Sequence, residues 1–282
     1  MGWVLVHDVD KRELRIRPGK IQIGRAQDSP IRPSHQSVSR IHAEIVVKPH
    51  TGILSEPTPL HIEIIDRSST GHTFVNQQPG KGKGVPVTLT HGDNLSFGVD
   101  PETYTVKWSP VILSFSSRLS ASESTTLEGL ARAAGAFMVS EWTPDCTHLL
   151  IDCLAFTPKL LCCIIDGGMP VALSFLQALA TLEQAKPLPG AEAHRPNPPE
   201  GPDANYANEL EEALARPYAR KGLLQNVWVI FTSRQIYDDL SRAMRHAGSP
   251  VQLLCDSSSQ VHQVKADLEA NLRSQQMPSE VW

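Results

Sequence analysis

Two cations and two hydroxyls fall within six residues, Ser37-Val38-Ser39-Arg40-Ile41-His42. Gly24 and Arg25 precede them, and the run Ser68-Ser69-Thr70-Gly71-His72-Thr73-Phe74-Val75-Asn76 follows. An arginine offers a planar fork of donors, and serine and threonine hydroxyls add short donors beside loop N–H groups. That set suits a tetrahedral dianion. A phosphate ester on a side chain carries about −1.5 to −2 charge at pH 7 and three acceptor oxygens. Arg25 follows Gly24 at the end of an alternating stretch, so it can project from a loop with its fork preorganised.

Other chemistries fit less well. Ser39, His42 and Asp66 could be drawn as a nucleophilic triad, but no G-x-S-x-G elbow is present. Three positions apart in a loop is not by itself a nucleophile–base geometry. Gly80-Lys81-Gly82-Lys83-Gly84 superficially resembles a phosphate loop. It lacks the Lys-Ser/Thr ending and stands between two strand candidates, so it reads as a mobile turn. No kinase or phosphatase motif follows residue 110. The expectation is a protein that is not an enzyme. The five cysteines, Cys146, Cys153, Cys162, Cys163 and Cys255, have no C-x-x-C pair. They read as reduced, mostly core thiols, with neither a metal nor a cofactor expected.

Residues 1–108 read as many short strands, among them WVLV, LRIRP, KIQIG, HAEIVV, LHIEIID, TFVN, VPVTL, NLSFG and TYTVKW. Several alternate apolar and polar residues, and turn formers punctuate most gaps. This pattern predicts an all-β sandwich whose end loops hold the donor set. After Trp108 the pattern changes. VILSF at 111–115 reads as a strand, and Leu127, Leu130, Ala131 and Ala134 recur at helical spacing. Thr125 to Glu128 matches a capping box and Gly135 a helix stop. AFMV and THLLI read as strands. Thr157-Pro158 opens a second helix that stops at Gly167-Gly168. MPVAL and SFLQALATLEQA read as a last strand and helix. Strands alternating with helices imply a small parallel sheet flanked by helices. A Pro-rich stretch then reads as an extended, semi-rigid linker, followed by the short helix ANELEEALAR. VWVIF and the helix after it repeat the α/β pattern at an offset of roughly 115 residues.

The 282 residues allow two or three domains, and a 40% hydrophobic, 20% charged composition is that of a soluble globular chain. Net charge is −4, so recognition of any polyanion must come from a local patch. No run is long enough to cross a bilayer, and the N-terminus has no basic region of a signal peptide.

Gly24-Arg25, then Ser-Val-Ser-Arg-Ile-His, then Asp66-Arg-Ser-Ser-Thr-Gly-His-Thr-Phe-Val-Asn together resemble the signature of the forkhead-associated (FHA) domain. GAFMVSEWTPDCTHLLI resembles the glycine turn and Thr-His-Leu strand of a BRCT repeat. The resemblance implies a multidomain chain: an FHA domain at 1–108, a first BRCT repeat at 110–183, a Pro-rich linker at 184–221, and a partial or divergent second repeat at 222–282. It implies phosphothreonine contacts from Arg25, Ser39, Arg40, Thr70 and Gly71, with Gly24, His42 and Asn76 as structural support. A phosphoserine site in the BRCT region would use Ser122, Thr157 and Lys159. Here Glu123 stands where the family tends to have glycine. The usual Asn before the family's glycine is also missing. Either Gly71 and His72 take the Asn and Gly places, or His72 is an insertion. Both readings alter the clamp on the peptide backbone.

An FHA domain followed by tandem BRCT repeats resembles the adaptor family of the MRN double-strand-break repair complex. That resemblance implies a nuclear protein whose partners are phosphorylated DNA-damage-response proteins. The MRN nuclease and ATPase subunits would be met mainly through a region beyond residue 282, which makes this chain an N-terminal fragment. The rival reading is a binder of DNA or poly(ADP-ribose) through Arg15, Arg17, Lys20, Arg25, Arg32 and Arg40. Direct DNA binding is not expected to dominate, and no membrane partner is expected.

Overall fold

A computed structural model describes residues 2–69, 72–115, 121–215, 220 and 222–253. The N-terminal elements are ten short strands: β1 (Trp3–His7), β2 (Glu13–Ile16), β3 (Gly19–Ile23), β4 (Ala43–Val47), β5 (Ile62–Asp66), β6 (Thr73–Val75), β7 (Gln78–Pro79), β8 (Pro86–Thr88), β9 (Asn94–Phe97) and β10 (Thr103–Trp108). They form two antiparallel sheets, ordered β2-β1-β10-β9-β6-β7 and β3-β4-β5-β8. The period-2 pattern explains the faces. Ile45 and Val47 of β4 and Ile62 and Ile64 of β5 point inward and are buried, while the residues between them are half-exposed. Leu5, Leu95, Phe97 and Val106, all fully buried, face them from the other sheet. The strand β7 has no sequence signal, since two exposed residues, one of them a proline, carry no alternation. It pairs with β6 because Asn76 (φ 52°) and Gln77 (φ 65°) both take left-handed backbone and close a two-residue hairpin.

The α/β region continues with β11 (Ile112–Phe115), α1 (Ala121–Ala134), β12 (Phe137–Val139), β13 (His148–Leu150), α2 (Pro158–Asp166), β14 (Met169–Val171) and α3 (Leu173–Thr181). It ends in α4 (Ala207–Ala215), β15 (Val229–Phe231), α5 (Arg234–His246) and β16 (Val251–Leu253). The parallel sheet has the order β12-β11-β13-β14. Pro170 sits on β14, an edge strand, where a missing N–H is tolerated. The helix α1 starts four residues before Thr125. The Thr125–Glu128 pair therefore lies inside it and does not cap it. The second helix forms as its signals require. Thr157 caps it by accepting the Leu160 N–H at 3.2 Å, Pro158 occupies its first turn, and Gly167 ends it at φ 72°.

The chain divides into two compact units. The first, Met1–Leu154 with Met169–Glu200, holds the sandwich, the four-stranded parallel sheet, α1 and α3. Its sandwich and its α/β part are joined by polar contacts to backbone. The Arg17 guanidinium donates to the carbonyls of Ala180 and Leu182 at the end of α3 and of Ala133 at the end of α1. A cation at two helix C-termini meets their unpaired carbonyls and the negative ends of both dipoles. Arg15 donates to Ser109 O at 3.0 Å, and Arg132 to Gly52 O at 2.9 Å. Leu54, from a sandwich loop, enters the core made by Leu113, Leu127, Met138 and Phe175.

The Pro-rich segment is no free spacer. Ala185 donates to Arg15 O at 2.9 Å, and Asn197 to Asp152 O at 2.8 Å. Its few polar and apolar anchors suffice because proline has already removed much of the chain's freedom. The second unit, Ala155–Gly168 with Gly201–Trp282, contains α2, α4, α5 and the parallel pair β15–β16. In it Asp166 of α2 meets His246 of α5 at 2.6 Å. Arg220 donates to Ile164 O and Ala213 O, both at 3.0 Å. Cys146, Cys162 and Cys163 are buried free thiols and Cys153 is half-buried; Cys255 lies outside the described residues. No described helix is long and apolar enough to cross a membrane.

His148 is buried under Phe175, ring centroids 4.4 Å apart, and burial beside Arg15 lowers its pKa from 6.5 to about 4. The unfolded chain takes up this proton below about pH 6.5, the folded chain only near pH 4. Stability should therefore be full above pH 6.5 and fall as pH drops toward 4. Burial pushes His42 and His50 the same way. Melting temperatures measured across this window should decline, and His148→Leu should flatten the decline.

Candidate functional site

Four strand ends meet at one end of the sandwich. The chain leaves β3 at Ile23 and passes directly through Gly24 and Arg25. It enters β4 through Ser39–His42, leaves β5 through Arg67–Ser69, and enters β6 at Thr73. Gly24 and Arg25 lie against the second segment. Arg25 N–H donates to Ser39 O and Ala26 N–H to Arg40 O, each at 3.0 Å. The approach is so close that a Cβ on residue 24 would stand 2.2 Å from the Arg40 carbonyl oxygen. Gly24 is therefore a packing requirement.

Arg25 is exposed, and its Nε donates to the Val38 carbonyl. That bond aims the guanidinium along the loop. Among the described residues neither terminal amino group of Arg25 is engaged. Ser39 Oγ accepts the Ser69 N–H at 3.1 Å and lies 3.2 Å from Ser69 Oγ. Two hydroxyls from different loops thus stand together on the same end as the Arg25 fork. Arg40 is exposed beside them. Thr70 and Gly71 lie outside the described residues.

His42 is fully buried and joins the loops. Its Nδ1 accepts the Ser39 N–H at 3.0 Å, and its Nε2–H donates to His72 O at 3.3 Å. Its ring stands edge-on to Phe97 at 5.7 Å. One nitrogen accepts and the other donates, so both bonds need the neutral ring. Burial lowers its pKa, partly offset by the His72 carbonyl and Asp66.

Asp66 does the same work for the third loop. Its carboxylate accepts the N–H groups of Ser68 at 2.7 Å and Thr73 at 3.1 Å. Burial alone would raise its pKa, but bonds from Ser68 and Thr73, with nearby His42, hold it below the ordinary carboxylate value.

The triad reading fails on this geometry. His42 takes the backbone N–H of Ser39 and not its hydroxyl, while both Asp66 oxygens bond to backbone. Asn76 is also placed elsewhere. It sits at the far end of β6, where its amide bonds Asp93 at 2.8 Å and Asn94 N–H at 2.8 Å. Its support reaches the loops only through the β6–β7 hairpin.

The proposed polyanion surface loses members. Arg15 and Arg17 are spent on backbone carbonyls of the α/β region and its entry, and Lys20 lies 3.7 Å from Glu44. Ser69, which motif spacing did not single out, is the described residue of this loop that meets Ser39; the adjacent serines gave the only signal. In the α/β region, Ser122 lies in the first turn of α1. Thr157 is the cap of α2, and Lys159 is the second residue of that helix.

A sandwich with this loop cluster, followed by a parallel α/β region, defines an FHA domain with a BRCT-like region behind it. Residues 21–98 match the FHA domain family. The fold of the Schizosaccharomyces pombe Nbs1–Ctp1 complex structure aligns over 90% of this chain and 81% of that chain, with a TM-score of 0.59 and 14% identity. Within that class the sequence is similar to nibrins. It is 31% identical to Danio rerio nibrin over 233 residues, which is 82% of this chain and 26% of the relative. It is 27% identical to the Oryza sativa subsp. indica nibrin homolog over 189 residues, 63% of this chain and 33% of the relative. The chain thus spans about a third or less of these relatives' length. No catalytic family is indicated.

Gly24→Ala should cost more than about 2 kcal/mol in urea unfolding, because backbone must move to admit the methyl group. Gly129→Ala, on an open face of α1, should instead gain about 0.5–1 kcal/mol.

Proposed function

We propose that this chain is a non-catalytic phosphopeptide-binding adaptor of the DNA double-strand-break response. Its FHA domain takes a phosphothreonine. The observation that carries the reading is the Arg25 guanidinium, held at Nε by Val38 with neither amino group bonded among the described residues, on the loop end that presents Ser39 and Ser69. The fork supplies fixed charge, and the hydroxyls supply short donors to the remaining phosphate oxygens. Thr70 would complete the set from the same loop, Gly71 would face the peptide backbone, and Arg40 would flank it.

The similarity to nibrins supports the biological setting. The partners are then phosphorylated damage-response proteins in the nucleus and the MRN nuclease and ATPase subunits. The α/β region is read as a first BRCT repeat over 110–183 and a second from 222. A general polyanion surface is disfavoured, since two of its six cations are committed inside the first unit.

One peptide in phosphothreonine, phosphoserine and unmodified forms tests this by fluorescence polarisation. The phosphothreonine form should bind selectively. Arg25→Ala should weaken it by about tenfold to a hundredfold, the worth of charge-assisted hydrogen bonds. Binding that ignores the phosphate, or survives Arg25→Ala, would overturn the proposal.

A further inference from the structure

Six hydroxyl residues stand directly before a proline: Ser29, Thr58, Ser109, Thr143, Thr157 and Ser249. A proline-directed protein kinase takes such a pair as substrate where the hydroxyl is exposed and the backbone around it can lie extended in the enzyme's cleft. A following proline already biases the acceptor residue to extended backbone. The fold decides which of the six meets the other conditions.

Five are withdrawn. Ser29 and Ser249 are buried, and the Ser249 hydroxyl donates to Val227 O at 2.6 Å. Thr157 is spent as the cap of α2. Thr143 is exposed but closes a tight turn, in which Cys146 N–H donates to Thr143 O at 2.9 Å and Thr143 N–H to Cys146 Sγ at 3.2 Å. Ser109 is half-buried and tied on both sides. Its N–H donates to Gly2 O at 2.6 Å, and its carbonyl accepts from Arg15 at 3.0 Å.

Thr58 is placed differently. It lies in the loop that joins β4 to β5, at the end of the sandwich opposite Arg25. Ser55, Glu56, Pro57, Thr58 and Pro59 are all exposed, between the buried Leu54 and Leu60. Both leucines are anchored through their carbonyls. Leu54 O accepts from Met138 N–H at 3.0 Å, and Leu60 O from the Trp3 indole N–H at 2.6 Å. Among the described residues the exposed stretch makes only local backbone bonds, Glu56 N–H to Ile53 O at 3.2 Å and Thr58 N–H to Glu56 O at 2.7 Å. Pro57 and Pro59 bracket the hydroxyl and supply no N–H of their own. An enzyme can therefore draw out this stretch by breaking two short-range bonds, leaving β4 and β5 intact.

We infer that Thr58 is a phosphorylation site for a proline-directed serine/threonine kinase. The Thr58 hydroxyl oxygen attacks the γ-phosphorus of the kinase's ATP, the bond to the ADP oxygen breaks, and the hydroxyl proton passes to the kinase's base. The product is a dianion in a solvated loop. Glu56 is the one charged residue of the exposed stretch, so the new charge meets a like charge there and no cation. The modification thus acts as a surface mark and not as a latch that rearranges the fold. It is independent of the Arg25 site at the other end.

The test treats the full chain with magnesium, ATP and, in separate reactions, a cyclin-dependent and a mitogen-activated kinase. Short peptides spanning each of the six dipeptides are treated in parallel. Mass spectrometry should find the chain phosphorylated at Thr58. Any other position accepted as a peptide should react at least about tenfold more slowly in the chain, because local unfolding must precede it. Thr58→Ala should remove the phosphate and Thr58→Ser should restore it. Phosphorylation should move the melting temperature by less than about 2 °C.

Four results would overturn the inference. Both kinases could refuse the Thr58 peptide. They could accept that peptide and refuse Thr58 in the chain, which would make the loop closed to an enzyme. The other positions could react in the chain as fast as in their peptides, which would mean that the fold does no selecting. A larger shift in melting temperature would make the phosphate a structural element and not a mark.

Discussion

A single neutral imidazole holds one end of the sandwich together. His42 accepts from the loop that carries Ser39 and donates to the carbonyl just before β6. Protonation would turn its accepting nitrogen into a donor facing another donor. Full burial and the edge of Phe97 exclude the water that could relieve such a conflict. The ring is thus kept in one charge state and one tautomer by the same contacts that it makes. The Arg25 and Ser69 positions follow from it, because each is registered on Ser39 by a hydrogen bond.

Asp66 complements His42 without touching it through a hydrogen bond. The carboxylate organises two N–H groups across the Ser68–Thr73 loop, and its own carbonyl receives Gly84 N–H. One residue therefore sets both the loop that carries Ser69 and the neighbouring Gly80–Gly84 turn. The arginines divide into two kinds. Arg25 and Arg40 face solvent. Arg15 and Arg17 reach across to carbonyls at Ser109 and at two helix ends, where their charge is matched by backbone dipoles. Composition cannot separate these kinds, since it counts all four arginines alike.

Much of the fold was legible because its signals are local. Alternation located nine of the ten sandwich strands, and Thr157-Pro158 with Gly167 marked both ends of α2. The pair Gln78–Pro79 was not legible, since its pairing depends on left-handed backbone at Asn76 and Gln77. Thr125–Glu128 misplaced the start of α1 because a capping pattern can also occur inside a helix. At the candidate site, Gly24, Arg25, Ser39 and His42 were readable from their spacing. Ser69 was not, because which of two adjacent hydroxyls meets Ser39 is decided by how the Asp66 carboxylate bends the loop. Asn76 was read as structural support of the pocket by its place in a motif, while its side chain serves the opposite end of the strand.

The loop that delivers Leu54 has a consequence for the solution behaviour of the α/β sheet. Strand β12 is the outermost strand of that sheet, and its Met138 N–H is taken by Leu54 O at 3.0 Å. An outer strand with open N–H groups is a template for another chain's strand. Here the sandwich supplies the cover from within the same polypeptide, and Leu54 seals the apolar layer beneath it. The FHA domain is therefore also a guard against edge-to-edge assembly. Cutting the chain between the two parts would bare a sticky margin that the intact protein keeps closed.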